Sequence, residues 1–545
     1  MRHALPILLL LTACNGKDDD DVDVPVPPGQ VEGEVVDYVY GFDAWSGAAT
    51  ATVSLDVELG GDCAQLDYLA PEPQACRFDG QEGTCTIQGD VLTVCGPEGV
   101  PQGSTLVVEV DLVVPKETYL STDLGYATTA LGGESDHYLL SWFGGCARFG
   151  PCDVDPATFA TYRFEVAHQA GEMLLCPGEL DPGDTLSTCT FELDGGPTYS
   201  AFGFAVSSRL ERVELGRAGD VDVVWYDHDG IRQSSEVDID DIKDFMSFME
   251  ELAGPYPYGD ELRFFSWDSY WAGFEHPGNI AMNQNLTPVP TIYRDNPLLH
   301  TTLHEITHMW AGNQTTLASD RDFAWKEATA EYLTFVWEDD NEMGERSLQY
   351  WKVVAGLATT FAAPEDPELG LFDFYSNAYG PGPMILFRQL EVMFGRQAVL
   401  EAMTGFLGNG ASTASIDDVQ AALEVATGED LEAYMNTWLR GSGEPAWPTI
   451  GTRIEGDTLI VDQSTMDGEV WPCAFHIRIV DSVGTLDVPV RYELDGTSTS
   501  LTLALSRSPE AGATIEIDPF KEALVYADAS KLWQPTAEEL GFRGH

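Results

Sequence analysis

His304-Glu305-Ile306-Thr307-His308, followed after eighteen intervening residues by Glu327, is the stretch on which the reading turns. Residues four apart on a helix lie on one face, so His304 and His308 can direct both imidazoles at one ion. A second helix carrying Glu327 can supply a third donor. Two His and one Glu around Zn²⁺ leave a fourth position for water, which is the arrangement of a catalytic zinc site; one zinc per chain is expected. Glu305 is not needed as a donor and is placed to take a proton from water at that open position. Glu331, one turn beyond Glu327, is read as a supporting or surface group rather than a ligand. His300, one turn before His304, is expected on a neighbouring surface.

Working outward, the chain has 545 residues, a length that favours several domains. Acidic residues number 90 against 27 basic, a formal charge of −63, and such a surface repels phosphate backbones. Nucleic acid is therefore excluded as a partner. Met1-Arg2-His3 precedes an apolar run from Ala4 to Thr12, too short to span a bilayer and read as a signal peptide over residues 1–13. The run ends Leu11-Thr12-Ala13-Cys14, which resembles a bacterial lipobox and implies acylation of Cys14. Asn15 follows, so the expectation is an exported lipoprotein at the outer membrane or cell surface, held to the membrane by that lipid. Residues 14–30, with a run of Asp and then Pro, read as a tether.

Eight cysteines fall between Cys63 and Cys189, and export makes them disulfide candidates. Neighbour pairing (63–76, 85–95, 146–152, 176–189) is the simplest arrangement. No CxxC pair supports a zinc–cysteine site. Cys473 is left over and is expected as a buried free thiol. Residues 31–206 alternate polar and apolar, as in Thr52 to Val57 and Leu106 to Val110, and predict a saddle or sandwich of antiparallel strands. Residues 207–441 begin with strands (Val221 to Trp225, Leu262 to Trp267) and turn helical. Asp240 or Asp241 could cap a helix through Phe245, Phe248 and Leu252. Asn296-Pro297 can open the helix bearing the two His. Further helices are predicted over Trp325 to Trp337, Met384 to Phe394 and Ile416 to Ala426. Residues 442–545 return to β pattern at Leu459 to Val461, Phe475 to Val480 and Val488 to Tyr492.

The flanks of the pentapeptide carry more. His304 through Asn313 resembles the HExxHxWxGN signature of the aminopeptidase N family of zinc metallopeptidases, and Trp325-Lys326-Glu327-Ala328 stands where that family has its W-x-N-E-G segment. Phe149 to Pro156 looks like the family's FPCxDxP stretch, Pro255 to Tyr258 like its yPy turn, and Trp438 to Pro445 like the segment leaving its catalytic domain. The resemblance implies a multidomain α+β fold: an N-terminal antiparallel β saddle, a thermolysin-like, mostly helical catalytic domain and a C-terminal β sandwich. It also implies an enzyme cutting peptides that have a free N-terminus. Ala272-Gly273-Phe274-Glu275-His276 occupies the place of the family's GxMEN motif. Glu275 matches the carboxylate that grips the substrate's α-amine, with Gly273 lining the substrate, and Tyr379 matches the phenol that donates to the oxyanion. This chain departs from the pattern at Ala272, Phe274 and His276, at Lys326 and Ala328, and in having no Gln over Tyr138 to Gly145. Those departures leave a second reading open, a zinc peptidase of altered specificity. A third is a surface lipoprotein that binds a partner around a relic metal site.

Overall fold

The computed structural model describes residues 29–115, 126–128, 136–268, 271–366, 369, 382, 385–408, 410–465 and 468–527. Cys14, the leader, nearly all of the tether and Tyr379 lie outside them. The N-terminal part is β throughout. Ala48–Leu59 alternates strictly, with Ala49, Ala51, Val53, Leu55 and Val57 turned into the core and the residues between them outward. This strand sits in an eight-stranded sheet whose centre runs Phe159–Ala167, Glu32–Asp43, Ala48–Leu59, Thr105–Val113. The sheet is antiparallel except at one pair: Glu32–Asp43 runs parallel to Phe159–Ala167, with Tyr38 opposite Tyr162. More than a hundred residues separate those two strands, so no hairpin dictates their direction. A four-stranded sheet containing Asp136–Leu140 and Gly203–Ser207 meets the strand Glu261–Trp267, where Tyr138 packs on Phe265 and Trp267.

Four disulfides tie this part together: Cys63–Cys95, Cys76–Cys85, Cys146–Cys152 and Cys176–Cys189. The first two correct the neighbour pairing. Gly61–Asp67 lies antiparallel to Val91–Val100 with Cys63 directly opposite Cys95, so strand register nests one bridge inside the other. Cys473 is free and buried.

A mixed five-stranded sheet follows, in the order Leu210–Ala218, Val221–His228, Glu261–Trp267, Asn279–Asn283, Gly273–Phe274. The three central strands are parallel, and Ile239–Ala253 is the helix crossing between the first two. Its cap is Asp238, whose carboxylate accepts from Asp240 N–H, two residues before the position expected. Ile242, Phe245, Met246, Met249 and Leu252 form its buried stripe. Helices Pro297–Thr307 and Phe323–Asp340 follow, then Glu345–Ala355, Arg396–Leu407, Ile416–Thr427 and Glu432–Trp438. At the C-terminal end two three-stranded antiparallel sheets are formed, one holding Thr458–Ser464 and the other Cys473–Asp481 at its centre. They join the helices through Trp438, which donates to Pro472 O at 2.7 Å and packs edge-on against Trp471.

The Cys63–Cys95 bridge spans 32 residues of chain. Replacing both cysteines by serine is expected to lower unfolding free energy by about 3–4 kcal/mol through loop-closure entropy, read as a drop in the urea midpoint.

Candidate metal and catalytic site

The two helices that carry the motif are built to be buried. Asn296 caps the first by accepting from Leu299 N–H, and Pro297 occupies the first helical position, where no N–H is needed. Every residue from Leu298 to Thr307 is buried, and the helix stops at His308, one turn after His304. Phe323–Asp340 is buried from Phe323 through Glu338 and so has no polar face to pattern.

Across their contact the donors converge. His304 Nε2 and His308 Nε2 are 3.2 Å apart, and Glu327 places one carboxylate oxygen 3.3 Å from the first and the other 3.6 Å from the second. Their donor atoms all lie within 4.8 Å of one another, and all three side chains are buried. Each imidazole is oriented from its far side. His308 Nδ1 bonds Ala311 O at 2.9 Å, and His304 Nδ1 faces Glu331 at 3.5 Å. Burial brings His308 down to about 4, which leaves its Nε2 lone pair free at neutral pH. Burial acts the same way on His304, but the neighbouring carboxylates Glu327, Glu331 and Glu305 override it and push the imidazole up to about 10. The two imidazoles and Glu327 are close enough together to hold one metal ion. The donor set, two nitrogens and a carboxylate, suits Zn²⁺.

His300, His304 and Glu331 form a second close group that shares His304. Here the structure corrects the sequence reading: His300 is not on a surface. It is buried, bridging Glu331 at 3.1 Å and Glu338 at 2.8 Å. Arg294 meets Glu331 from the other side at 2.5 Å. Glu331 is thus already compensated by Arg294 and hydrogen-bonded by His300, which fits a supporting role beside His304 rather than an ion of its own.

Glu305 is buried beneath the edge strand Gly273–Phe274. A Cβ added at Gly273 would lie 2.3 Å from Glu305 Oε1, so any larger residue here would push the carboxylate from this position. Burial lifts the Glu305 carboxyl to about 8; His304 opposes the rise and the Glu275 and Glu327 carboxylates reinforce it. A base poised near neutrality is what proton transfer at this position needs.

Glu275 stands where the sequence placed it, but it is not alone. The buried ammonium of Lys326 is 2.6 Å from Glu275 Oε1 and 2.9 Å from Glu327 Oε1. The contact to Glu275 is electrostatic, since Oε1 has no well-aligned hydrogen-bond donor. Burial alone would strip the proton from Lys326; Glu275 and Glu327 hold it on, well above its usual range. The lysine stem threads past Gly312, whose φ is +127° and where a Cβ would be 2.8 Å from Lys326 Cε. Asn313 anchors the next turn by donating to Glu275 O at 2.7 Å and accepting from Ser200 Oγ at 2.6 Å, so the N-terminal region braces the site. His276, also buried, bonds Ser200 O at 2.6 Å, and burial brings it down to about 4. The sequence marked Lys326 only as a departure; its partner lies 51 positions away, and nothing local signals the pairing. Arg294, Glu338, Tyr199 and Ser200 were likewise missed.

Residues 237–438 match the Peptidase family M1 domain. Over this segment the chain is similar to the M1 peptidases. The aminopeptidase N-like resemblance read from the motif is borne out by the relatives. Aminopeptidase M1-B of Oryza sativa subsp. japonica is 24% identical over 228 residues, 39% of this chain and 25% of its own. Aminopeptidase N of Lactococcus lactis subsp. lactis is 23% identical over 179 residues, 29% of this chain and 20% of its own. The chain thus spans a quarter or less of the length of these relatives. Among solved structures, a two-domain M1 zinc metallopeptidase bound to L-tryptophan superposes with a TM-score of 0.61 at 20% identity, covering 76% of this chain and 96% of its own. The M1 zinc metallopeptidase of Deinococcus radiodurans gives 0.60 at 21% identity, covering 75% and 94%. The multidomain α+β fold is shared with them.

Glu331→Gln is expected to weaken zinc affinity by about 10–100-fold without abolishing binding at saturating metal, measured by competition with a chromophoric chelator. His304→Ala should remove stoichiometric zinc altogether.

Proposed function

We propose that this chain is a zinc-dependent peptidase of the aminopeptidase type, which hydrolyses peptides near their amino end and holds one zinc per chain on His304, His308 and Glu327. The observation that carries the reading is the meeting of those three donors over Glu305, with a strand edge directly above. Bound there, zinc would act as a Lewis acid toward the scissile carbonyl and lower the pKa of water. Glu305 takes a proton from the attacking water and hands it to the departing amine nitrogen. Gly273 lies at the open edge of its sheet, where a substrate backbone can lie alongside in extended form. Tyr379, by the resemblance, donates its phenol to the tetrahedral oxyanion, a contribution worth about 3 kcal/mol in such sites.

Export is part of the proposal. Four disulfides in one region suit an oxidising compartment, and the lipobox-like Leu11 to Cys14 would tether the chain to a membrane. Mass spectrometry of the mature N-terminus checks this: an acylated Cys14 is expected, and a free unmodified terminus would end the claim.

Glu305→Gln tests the chemistry. The variant should lose about 10²–10⁴-fold in kcat on aminoacyl amides while retaining its zinc. Undiminished turnover would remove Glu305 from the mechanism.

A further inference from the structure

The subsite that should receive a substrate's α-ammonium already contains one. Lys326 Nζ is 2.6 Å from Glu275 Oε1, and both side chains are almost fully buried, at 2% and 7% exposure. The ammonium is not a passing visitor. It bonds Glu327 Oε1 at 2.9 Å, lies 5.1 Å from the Phe323 ring and 5.7 Å from the Tyr199 ring, and its stem fills the gap left by Gly312. Each of these contacts fixes it against Glu275. Two ammonium groups on one buried carboxylate oxygen repel each other, and the second must shed its water to arrive. The ground next to this pair is aromatic: Phe143 stacks on Tyr199 at 4.7 Å and meets Phe323 at 5.5 Å.

We propose that Lys326 is the specificity-determining residue of this site: its ammonium stands in for the substrate's α-ammonium on Glu275, so peptides whose amino terminus is blocked are accepted as readily as those with a free amine. The proposal rests on the peptidase reading above and names its substrate class. Lys326 is a positioning and specificity group, not a proton carrier. It transfers nothing and breaks no bond; it removes the electrostatic reward that would otherwise select free N-termini.

The test compares one peptide in two forms, with a free and with an acetylated N-terminus, on the zinc-loaded wild-type chain and on Lys326→Met. Methionine keeps the length and removes the charge. The wild type should cleave both forms with kcat/KM values within about 10-fold of each other, whereas Lys326→Met should favour the free amine by about 100-fold or more, chiefly through KM. A wild-type preference above about 100-fold for the free form overturns the proposal, and so does a ratio left unchanged by the substitution. A second readout does not need turnover. Calorimetry with leucinamide, a free amine carrying no cleavable peptide, should show tighter binding to Lys326→Met than to the wild type, and equal or weaker binding counts against the claim. If neither protein cleaves either peptide, the peptidase reading fails, and the calorimetric comparison still decides the role of Lys326. Should Lys326→Met not retain zinc or fold, Lys326→Gln serves in its place, and the wild-type ratio alone remains able to refute the idea.

Discussion

Glu327 reaching across from its own helix to two imidazoles on another is the contact on which this architecture depends. A carboxylate buried to 4% exposure is tolerable only where positive charge meets it. Here the Lys326 ammonium meets it at 2.9 Å on one side, and His304 lies 3.3 Å away on the other. The helix geometry follows from this requirement. The two helices pack against each other and are buried nearly all round, which is why neither shows the one-sided stripe of a surface helix.

Behind the donors the same accounting continues. Glu331 is matched by Arg294 and His300, and His300 in turn by Glu338, which accepts from Ser347 Oγ at 2.6 Å. This row lies directly behind His304, with Glu331 3.5 Å from its Nδ1. On the opposite side the N-terminal region supplies Ser200 and Tyr199, and Asn313 links them to the backbone of Glu275. Asp136 of the N-terminal region is buried and paired with Arg209 and with His228 of the catalytic sheet. Arg263 of that sheet reaches back to Cys176 O at 3.1 Å. The β region is therefore part of the wall of the site as well as its neighbour in the chain.

What was legible in the sequence was what is local. The four-residue His spacing, the Asn296-Pro297 start and the period-two strands are each determined within a turn or a strand, and the structure forms them where they were read. Pairings across long separations were not legible. Cys63 finds Cys95 rather than Cys76 because of strand register, and Glu32–Asp43 lies parallel to Phe159–Ala167 because nothing short connects them. His300 was misplaced for a related reason. Its burial depends on Glu331 and Glu338 of the facing helix, and a lone histidine carries no sign of such partners.

Lys326 shows how one substitution can be locally inconspicuous and globally decisive. Three carboxylates, Glu275, Glu305 and Glu327, are buried close around one point, and each raises the cost of ionising the others. Where a substrate ammonium supplies the compensation, the balance holds only while substrate is bound. A lysine on the Glu327 helix supplies it permanently. It keeps Glu275 ionised, its carboxyl held below the usual range despite burial, and it does so from a position adjacent to the metal-donor residue itself. The consequence is a site whose charge balance no longer depends on what the substrate carries at its first atom. Selection of substrates then passes from Glu275 to the surfaces around it: the edge strand at Gly273 and the aromatic wall of Phe143, Tyr199 and Phe323.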